Sequence, residues 1–241
     1  MILDKAGNLW FGTRFGLCKL NTQKIIKKDS SDIPLFKTFS YEDGFLGIGC
    51  NRGAMYEDNT KTIWIGSNDR LTAYHPEGDE PDTIAPNIQL TGIELFNESI
   101  QWSNLSLTQP SSKEPAKNNI AKDTSFVLGN GVKVGNFEFN GITNWYGLPE
   151  NLSLAYNNNY ITFNFIGITT KSPQKVKYQY KLEGIDENWS ALTNRTEAPY
   201  GNLPKGSYTF KVKAMNSEGC WSKEYNYSFT IRPPWWKTVL S

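Results

Sequence analysis

The chain has 241 residues, enough to bury a sizeable core as one large or two modest domains. Its 25 Lys and Arg stand against 24 Asp and Glu, and the net charge of +1 gives no electrostatic footprint for nucleic acid or an anionic membrane. Aromatic residues at 14%, with 20 glycines and 12 prolines, indicate an all-β protein of short strands and tight turns.

The chain opens on LDKAGNLWFGTRFGLCKLN and repeats this pattern as YEDNTKTIWIGSNDRLTAYHP. Aligning Trp10 with Trp64 pairs, without a gap, Asp4 with Asp58, Gly12 with Gly66 and Leu17 with Leu71. A polar turn, a Trp strand and a Gly turn recurring every 40 to 50 or so residues are the mark of β-propeller blades. Residues 1–85 are therefore expected to be the last repeats of an incomplete propeller, with Trp10 and Trp64 inserted between blades as core residues. Because blades bury their faces only against neighbours, a longer protein is expected around this segment.

Cys18, Cys50 and Cys220 are odd in number and lack C-x-x-C spacing, which favours free thiols, with a Cys18–Cys50 bridge as the alternative. Met1 leads at once into charged Asp4 and Lys5, so the start does not read as a secretory signal. No run approaches the roughly 18 apolar residues of a membrane span.

The acidic, Pro-bearing EGDEPDTIAP suits a linker, with a boundary near residue 85 and a second domain over 86–236. NIQLTGIELFN alternates as its first strand. Residues 101–150 read as an insertion, polar and loop-like over Leu107–Val127, with Gly129, Asn130 and Gly131 able to turn a hairpin. Trp145 and Tyr146 within it either pack on the domain or form an aromatic contact surface.

From Tyr160 the alternation is regular. Ile161, Phe163 and Phe165 share a face, as do Val176, Tyr178, Tyr180 and Leu182, then Tyr208, Phe210, Val212 and Ala214, then Tyr227, Phe229 and Ile231. This is the pattern of an immunoglobulin/fibronectin III-like β-sandwich, for which Trp189 is large enough to plug the space between sheets. Pro204 and Gly206 before Tyr208 suggest a tyrosine corner, in which the phenol bonds back to upstream backbone. Pro233 and Pro234 stop the last strand, and Trp235, Trp236 and Lys237 are what the water–lipid interface selects beside a membrane helix, so 237–241 would begin a juxtamembrane segment. The alternative is that both tryptophans pack under the sandwich.

Catalytic motifs are missing: there is no G-x-S-x-G, H-E-x-x-H, P-loop or helix-opening G-x-G-x-x-G, and His75 is the only histidine. Asp186 with Glu187, and the Asp79, Glu80, Asp82 run, are adjacent carboxylates of the kind that line solvated turns. No cofactor or metal site is expected. Sugar-binding groups are available in the loops beside the Trp strands, as Arg14, Phe15, Arg52, Asn68, Asp69 and Arg70.

Taken together, Asp4, Gly7, Asn8, Trp10, Gly12, Thr13, Gly16 and Leu17, with YITFNF, YQYKLEGIDENW, APYGNLPKGSYTFKVKAMNSEG and IRPPWW, resemble the periplasmic sensor regions of hybrid two-component system proteins. Those regions consist of two-component regulator propeller repeats followed by a three-Y (Y_Y_Y) domain. The resemblance makes Tyr180, Tyr200 and Tyr208, with Tyr178, the family tyrosines. It departs from the pattern at Lys61 and Arg70, where glycine is usual.

The resemblance implies a periplasmic, non-enzymatic segment of an inner-membrane histidine kinase. Propellers in such proteins sense ligands, typically oligosaccharides, and paired three-Y domains form a homodimer above the membrane and pass the signal to the helices. Two other readings stand beside it. One is a carbohydrate-binding accessory sandwich of a secreted enzyme, with Trp102, Trp145 and Tyr146 as stacking platforms; the other is a soluble regulator using the same modules.

Overall fold

A computed structural model describes residues 1–26, 36–79, 81–106 and 125–234. Among these the protein is all-β and mostly antiparallel, with two single-turn helices, α1 (Thr22–Ile26) and α2 (Trp102–Ser106). It divides into two compact units, one formed by Met1–Ala85 with Thr169–Lys175 and Asn216–Cys220, the other by the remainder.

The first unit contains two consecutive antiparallel meanders. β1 (Ile2–Leu3), β2 (Asn8–Thr13), β3 (Gly16–Asn21) and β4 (Phe36–Phe39) form one; β5 (Cys50–Glu57), β6 (Ile63–Ser67) and β7 (Leu71–Tyr74) form the other. Each copy of the repeat closes on an aspartate. The Asp4 carboxylate accepts the Asn8 N–H at 2.7 Å and the Trp10 indole N–H at 2.7 Å. Asp58 does the same for the Thr62 N–H at 3.0 Å and the Trp64 indole at 2.8 Å. The Asp-to-Trp spacing is thus a clasp: the turn folds back until the acid reaches the strand it precedes. Gly7 adopts φ +83° in this turn, and Lys61 at the equivalent place is held at φ +66°, a left-handed conformation that costs a non-glycine residue about 1–2 kcal/mol.

The two clasps differ in what covers the tryptophan. One face of the first meander, carrying Ile2, Trp10, Leu17 and Phe39, packs against the face of the second carrying Met55, Ile63, Ile65 and Tyr74. Trp10 is fully buried there, stacked on Phe39 at 5.8 Å and tilted against Tyr74 at 4.6 Å. Gly12 is needed for this approach, since a Cβ at that position would lie 2.1 Å from the Cys50 Cβ. Trp64 lies on the opposite face of its sheet and is exposed, which corrects its assignment to the core.

Acid should open the second clasp in a defined window. Bonds from the Thr60 side chain first, and from Trp64, hold the Asp58 carboxyl down at about 2, against an ordinary 3.8. A lowered folded pKa stabilises above the unfolded value and stops doing so as pH falls through the folded one. The Trp64 indole N–H resonance is therefore expected to titrate with a midpoint near pH 2; a midpoint near 4 would show that the clasp is not formed.

The second unit is two four-stranded sheets face to face. One runs β14 (Leu152–Leu154), β19 (Tyr225–Ile231), β18 (Gly206–Met215), β16 (Lys177–Glu183); the other runs β17 (Glu197–Tyr200), β15 (Ile161–Ile168), β8 (Asn87–Leu95), β9 (Glu98–Ser99). β14 pairs with β19 in parallel, and a bulge interrupts the β15–β8 ladder between Asn164 and Phe165. The alternating residues meet in one core, where Phe163 stacks on Phe210 with ring centroids 4.2 Å apart.

One expectation about this unit is corrected. Trp189 does not plug the core: it is half-exposed on the outer side of the β16–β18 pair, where the Lys213 ammonium lies 4.5 Å from its ring and equally 4.5 Å from Trp221. The core is filled instead by Phe163, Phe165 and Phe210, which reach it directly from the strands. The described part of the 101–150 region, read from the sequence as an insertion, contributes to this core. It forms the short pairs β10 (Phe126–Val127) with β11 (Lys133–Val134), and β12 (Gly141–Ile142) with β13 (Pro149–Glu150), and from β11 and the segments flanking these strands Val134, Leu128, Phe137, Phe139 and Leu148 enter the same core as Trp102. Residues 107–124 of the loop, and the 235–241 segment with Trp235 and Trp236, lie outside the described residues.

Candidate functional site

Six residues proposed from the sequence as ligand contacts gather at one end of the two meanders. Arg14 and Phe15 form the β2–β3 turn, Asn68 and Asp69 the equivalent β6–β7 turn with Arg70 beside it, and Arg52 lies in the irregular start of β5. The β5 start adjoins both turns: the Cys50 thiol approaches the Gly16 carbonyl, and the Asn51 amide donates to the Ser67 carbonyl at 3.0 Å. All six side chains are exposed, Phe15 to 88%.

The electrostatics of this end are uneven. Asp69 accepts the Ile48 N–H at 2.8 Å and the Arg70 guanidinium at 2.7 Å, and these, in that order, hold its carboxyl at about 2. Arg70 is thereby matched by a fixed anion. Arg14 and Arg52 have no ion pair among the described residues, so two cations and an exposed phenyl ring face solvent together. A ring for stacking and cationic donors for hydroxyl or carboxylate oxygens are the groups an oligosaccharide requires.

Trp145 and Tyr146 belong to the other unit. They project from the β12–β13 hairpin, Trp145 being 87% exposed, and do not pack on the domain. The hairpin is held by the Leu148 N–H bonded to Thr143 and by the Tyr227 phenol donating to the Pro149 carbonyl at 2.6 Å. Trp102 is buried and donates its indole N–H to the Ile93 carbonyl, so it is no stacking platform.

The tyrosines that the sequence resemblance singles out are ties. Tyr178 accepts the Gly167 N–H at 3.0 Å, Tyr208 closes a tyrosine corner on the Pro204 carbonyl at 2.6 Å, and Tyr200 donates to Asp186 at 2.7 Å. Burial first, and then the Asp186 charge, push the Tyr200 phenol well above its usual range. Tyr180 contributes its ring to Phe165, Tyr200 and Phe210. Asp186 also accepts the Leu182 N–H at 2.8 Å, so this carboxylate is part of the β16 turn and not a solvated acid.

Sequence reasoning missed a charged set in the first unit. Asp79 accepts the Tyr74 phenol at 2.5 Å and Lys37 at 2.7 Å, and Lys37 also meets Glu218 at 2.8 Å. Burial alone would lower the Lys37 pKa, but the two carboxylates outweigh it and raise it. Asn216 was missed too: its amide donates to the Asp82 and Ile84 carbonyls and its oxygen accepts the Glu218 and Cys220 N–H groups. The only local signal was an Asn-Ser-Glu-Gly turn. The three cysteines are free thiols. No group of three or more potential metal ligands occurs among the described residues, and no helix among them is long and apolar enough to cross a membrane.

Residues 169–232 match the sequence pattern of the Y_Y_Y domain. Over 238 residues, 98% of this chain, the sequence is 24% identical to Histidine kinase P4 of Formosa agariphila, of which it spans 14%. The fold is shared with the extracellular domain of the putative hybrid two component system BT3049 from B. thetaiotaomicron, with a TM-score of 0.63 and 19% identity over 96% of this chain and 26% of that one. The chain thus spans about a seventh of the curated relative and a quarter of the solved structure.

Proposed function

We propose that this chain, with its Y_Y_Y domain at residues 169–232, is the signal-transmitting part of an extracytoplasmic sensor in a hybrid two-component histidine kinase. In this reading the two meanders are consecutive blades of a β-propeller, and the second unit is an immunoglobulin/fibronectin III-like sandwich. The propeller senses an oligosaccharide at the end carrying Arg14, Phe15, Arg52 and Arg70. The sandwich forms a homodimer in the periplasm, with Trp235 and Trp236 at the membrane interface, and passes the change to a membrane helix and kinase. The observation that carries the reading is the coincidence of the Y_Y_Y match with a unit whose tyrosines are spent on internal ties. A body with its polar groups bonded inward moves as one piece, which is what transmission by rigid displacement needs.

The test uses the whole sensor containing this chain, reconstituted in vesicles. Tyr200→Phe removes the tie to Asp186 without touching the proposed ligand end, so ligand affinity should persist while ligand-stimulated autophosphorylation drops by about tenfold, the size of a typical coupling energy. An unchanged response would sink the transmitter role. The exposure of Trp145 favours a second reading, a carbohydrate-binding accessory sandwich. Sugar binding by the 241-residue chain that is abolished by Trp145→Ala would move the conclusion to it.

A further inference from the structure

The outer face of the β14–β19–β18–β16 sheet carries, in register along β18, a cavity, a lysine pair and an indole clamp. The cavity is shallow, about 290 Å³, and is lined by Asn151, Ser207, Thr209, Ser228 and Thr230. The pairings of Ser207 with Thr230 and of Thr209 with Ser228 set these hydroxyl groups side by side, and the Thr209 and Ser228 oxygens lie 3.0 Å apart. Next along the strand comes Lys211, directly opposite Lys181 on β16. Beyond it, Lys213 holds its ammonium 4.5 Å from the Trp189 ring and 4.5 Å from the Trp221 ring. By the rise of a strand, the strip from Ser207 to Lys213 is about 20 Å long.

The lysine pair breaks a local rule, since like charges directly opposite each other destabilise an antiparallel ladder. Glu183 bridges the pair, at 3.3 Å from Lys181 and 2.7 Å from Lys211, and the Glu224 charge also acts on Lys211. Lys213, and Lys177 on the same face, make no ion pair among the described residues, so positive charge is in excess. An unfavourable arrangement in an otherwise regular sheet marks a functional surface. The ladder bonds of β18 are already made to β16 and β19, so a ligand on this face meets side chains only: hydroxyls, ammonium groups and indoles. The hydroxyl and ring C–H groups of a sugar match the first and last of these, and anionic substituents match the ammonium groups between them. We propose that the β18 strip binds an acidic oligosaccharide, one bearing carboxylate or sulfate groups, lying along the strand. It uses none of the residues at the Arg14 end.

Calorimetry on the 241-residue chain at low salt tests this with tetragalacturonate, a chondroitin sulfate tetrasaccharide and neutral maltotetraose. At least one acidic sugar should bind, with an affinity that falls as salt is added, and maltotetraose should bind about tenfold or more weakly. Lys211→Met and Lys213→Met keep the side-chain stems and remove the charges. Each should weaken acidic-sugar binding about tenfold, the loss of one charge-assisted bond. Thr209→Val removes a cavity hydroxyl without touching the charges and should weaken it about threefold. Thermal unfolding checks that the variants fold. A chain that binds neither acidic sugar, binds maltotetraose equally well, or binds a glutamate tetrapeptide as tightly would overturn the proposal. Binding unchanged in both lysine variants, or in Thr209→Val, would overturn it as well, because the sugar would then sit elsewhere. None of these outcomes bears on the sensor reading, whose ligand is assigned to the Arg14 end and whose test is phosphorylation.

Discussion

Phe163→Ala lowers the stability of the second unit by about 3–5 kcal/mol, while Trp189→Ala, which removes a larger side chain, costs about 1. Phe163 is fully buried and lies within 4.2 to 6.3 Å, centroid to centroid, of Phe210, Phe229, Tyr227 and Tyr200. Truncation there leaves a cavity walled by four rings from both sheets, and none of the four can collapse into it without leaving its own strand register. Trp189 is half-exposed, and its contacts of note are the Lys181 and Lys213 ammonium groups on the outer surface. Its removal forfeits a cation–π contact and returns Lys213 to Trp221 and water. Urea unfolding of both variants, read by the far-ultraviolet signal, separates the cases. Equal losses would mean that Trp189 reaches the core in solution.

Alternation alone located the sandwich strands, because a half-buried sheet forces a period of two on its residues and little else in the chain has that period. Tyr225–Ile231 and Leu152–Leu154 fall where the apolar pattern puts them, and the Pro204, Gly206, Tyr208 spacing announced the tyrosine corner that the structure contains. What the pattern could not supply was the partner of each face. Trp189 and Trp145 are aromatic like Phe163, yet one lies outside the sheet and the other at a hairpin tip; neither sits in a run whose alternation would have fixed its side. The core residues of the 101–150 region escaped for the converse reason. Phe137 and Phe139 reach the interior from the connection between β11 and β12, on either side of a single bridge from Glu138 to Ser153, too short to show a period. At the ligand end the turn residues were readable as exposed, but the Asp69–Arg70 pair that leaves Arg14 and Arg52 as the cations without an ion pair among the described residues is a matter of geometry.

Trp10→Ala should cost about 3–5 kcal/mol, and Trp64→Ala about 1, although the two residues occupy equivalent places in the repeat and make the same bond to an aspartate. The shared bond cancels from the comparison. What remains is cover: Trp10 is enclosed by Phe39 and Tyr74, with the Lys19 ammonium 5.1 Å from its ring, whereas the Trp64 face meets no other sheet among the described residues. Removing Trp10 also empties the contact between the meanders and deprives Asp4 of the strongest of the bonds that, against burial, lower its pKa. The Trp10 variant should accordingly lose less stability than the unmodified chain on acidification, because its Asp4 carboxyl is no longer held down by that bond, while the Trp64 variant should lose the titration near pH 2 and little else. The measurement is made by denaturant unfolding. A Trp64→Ala loss as large as that of Trp10→Ala would mean that the Trp64 ring is covered, and the contrast between the two clasps would fall.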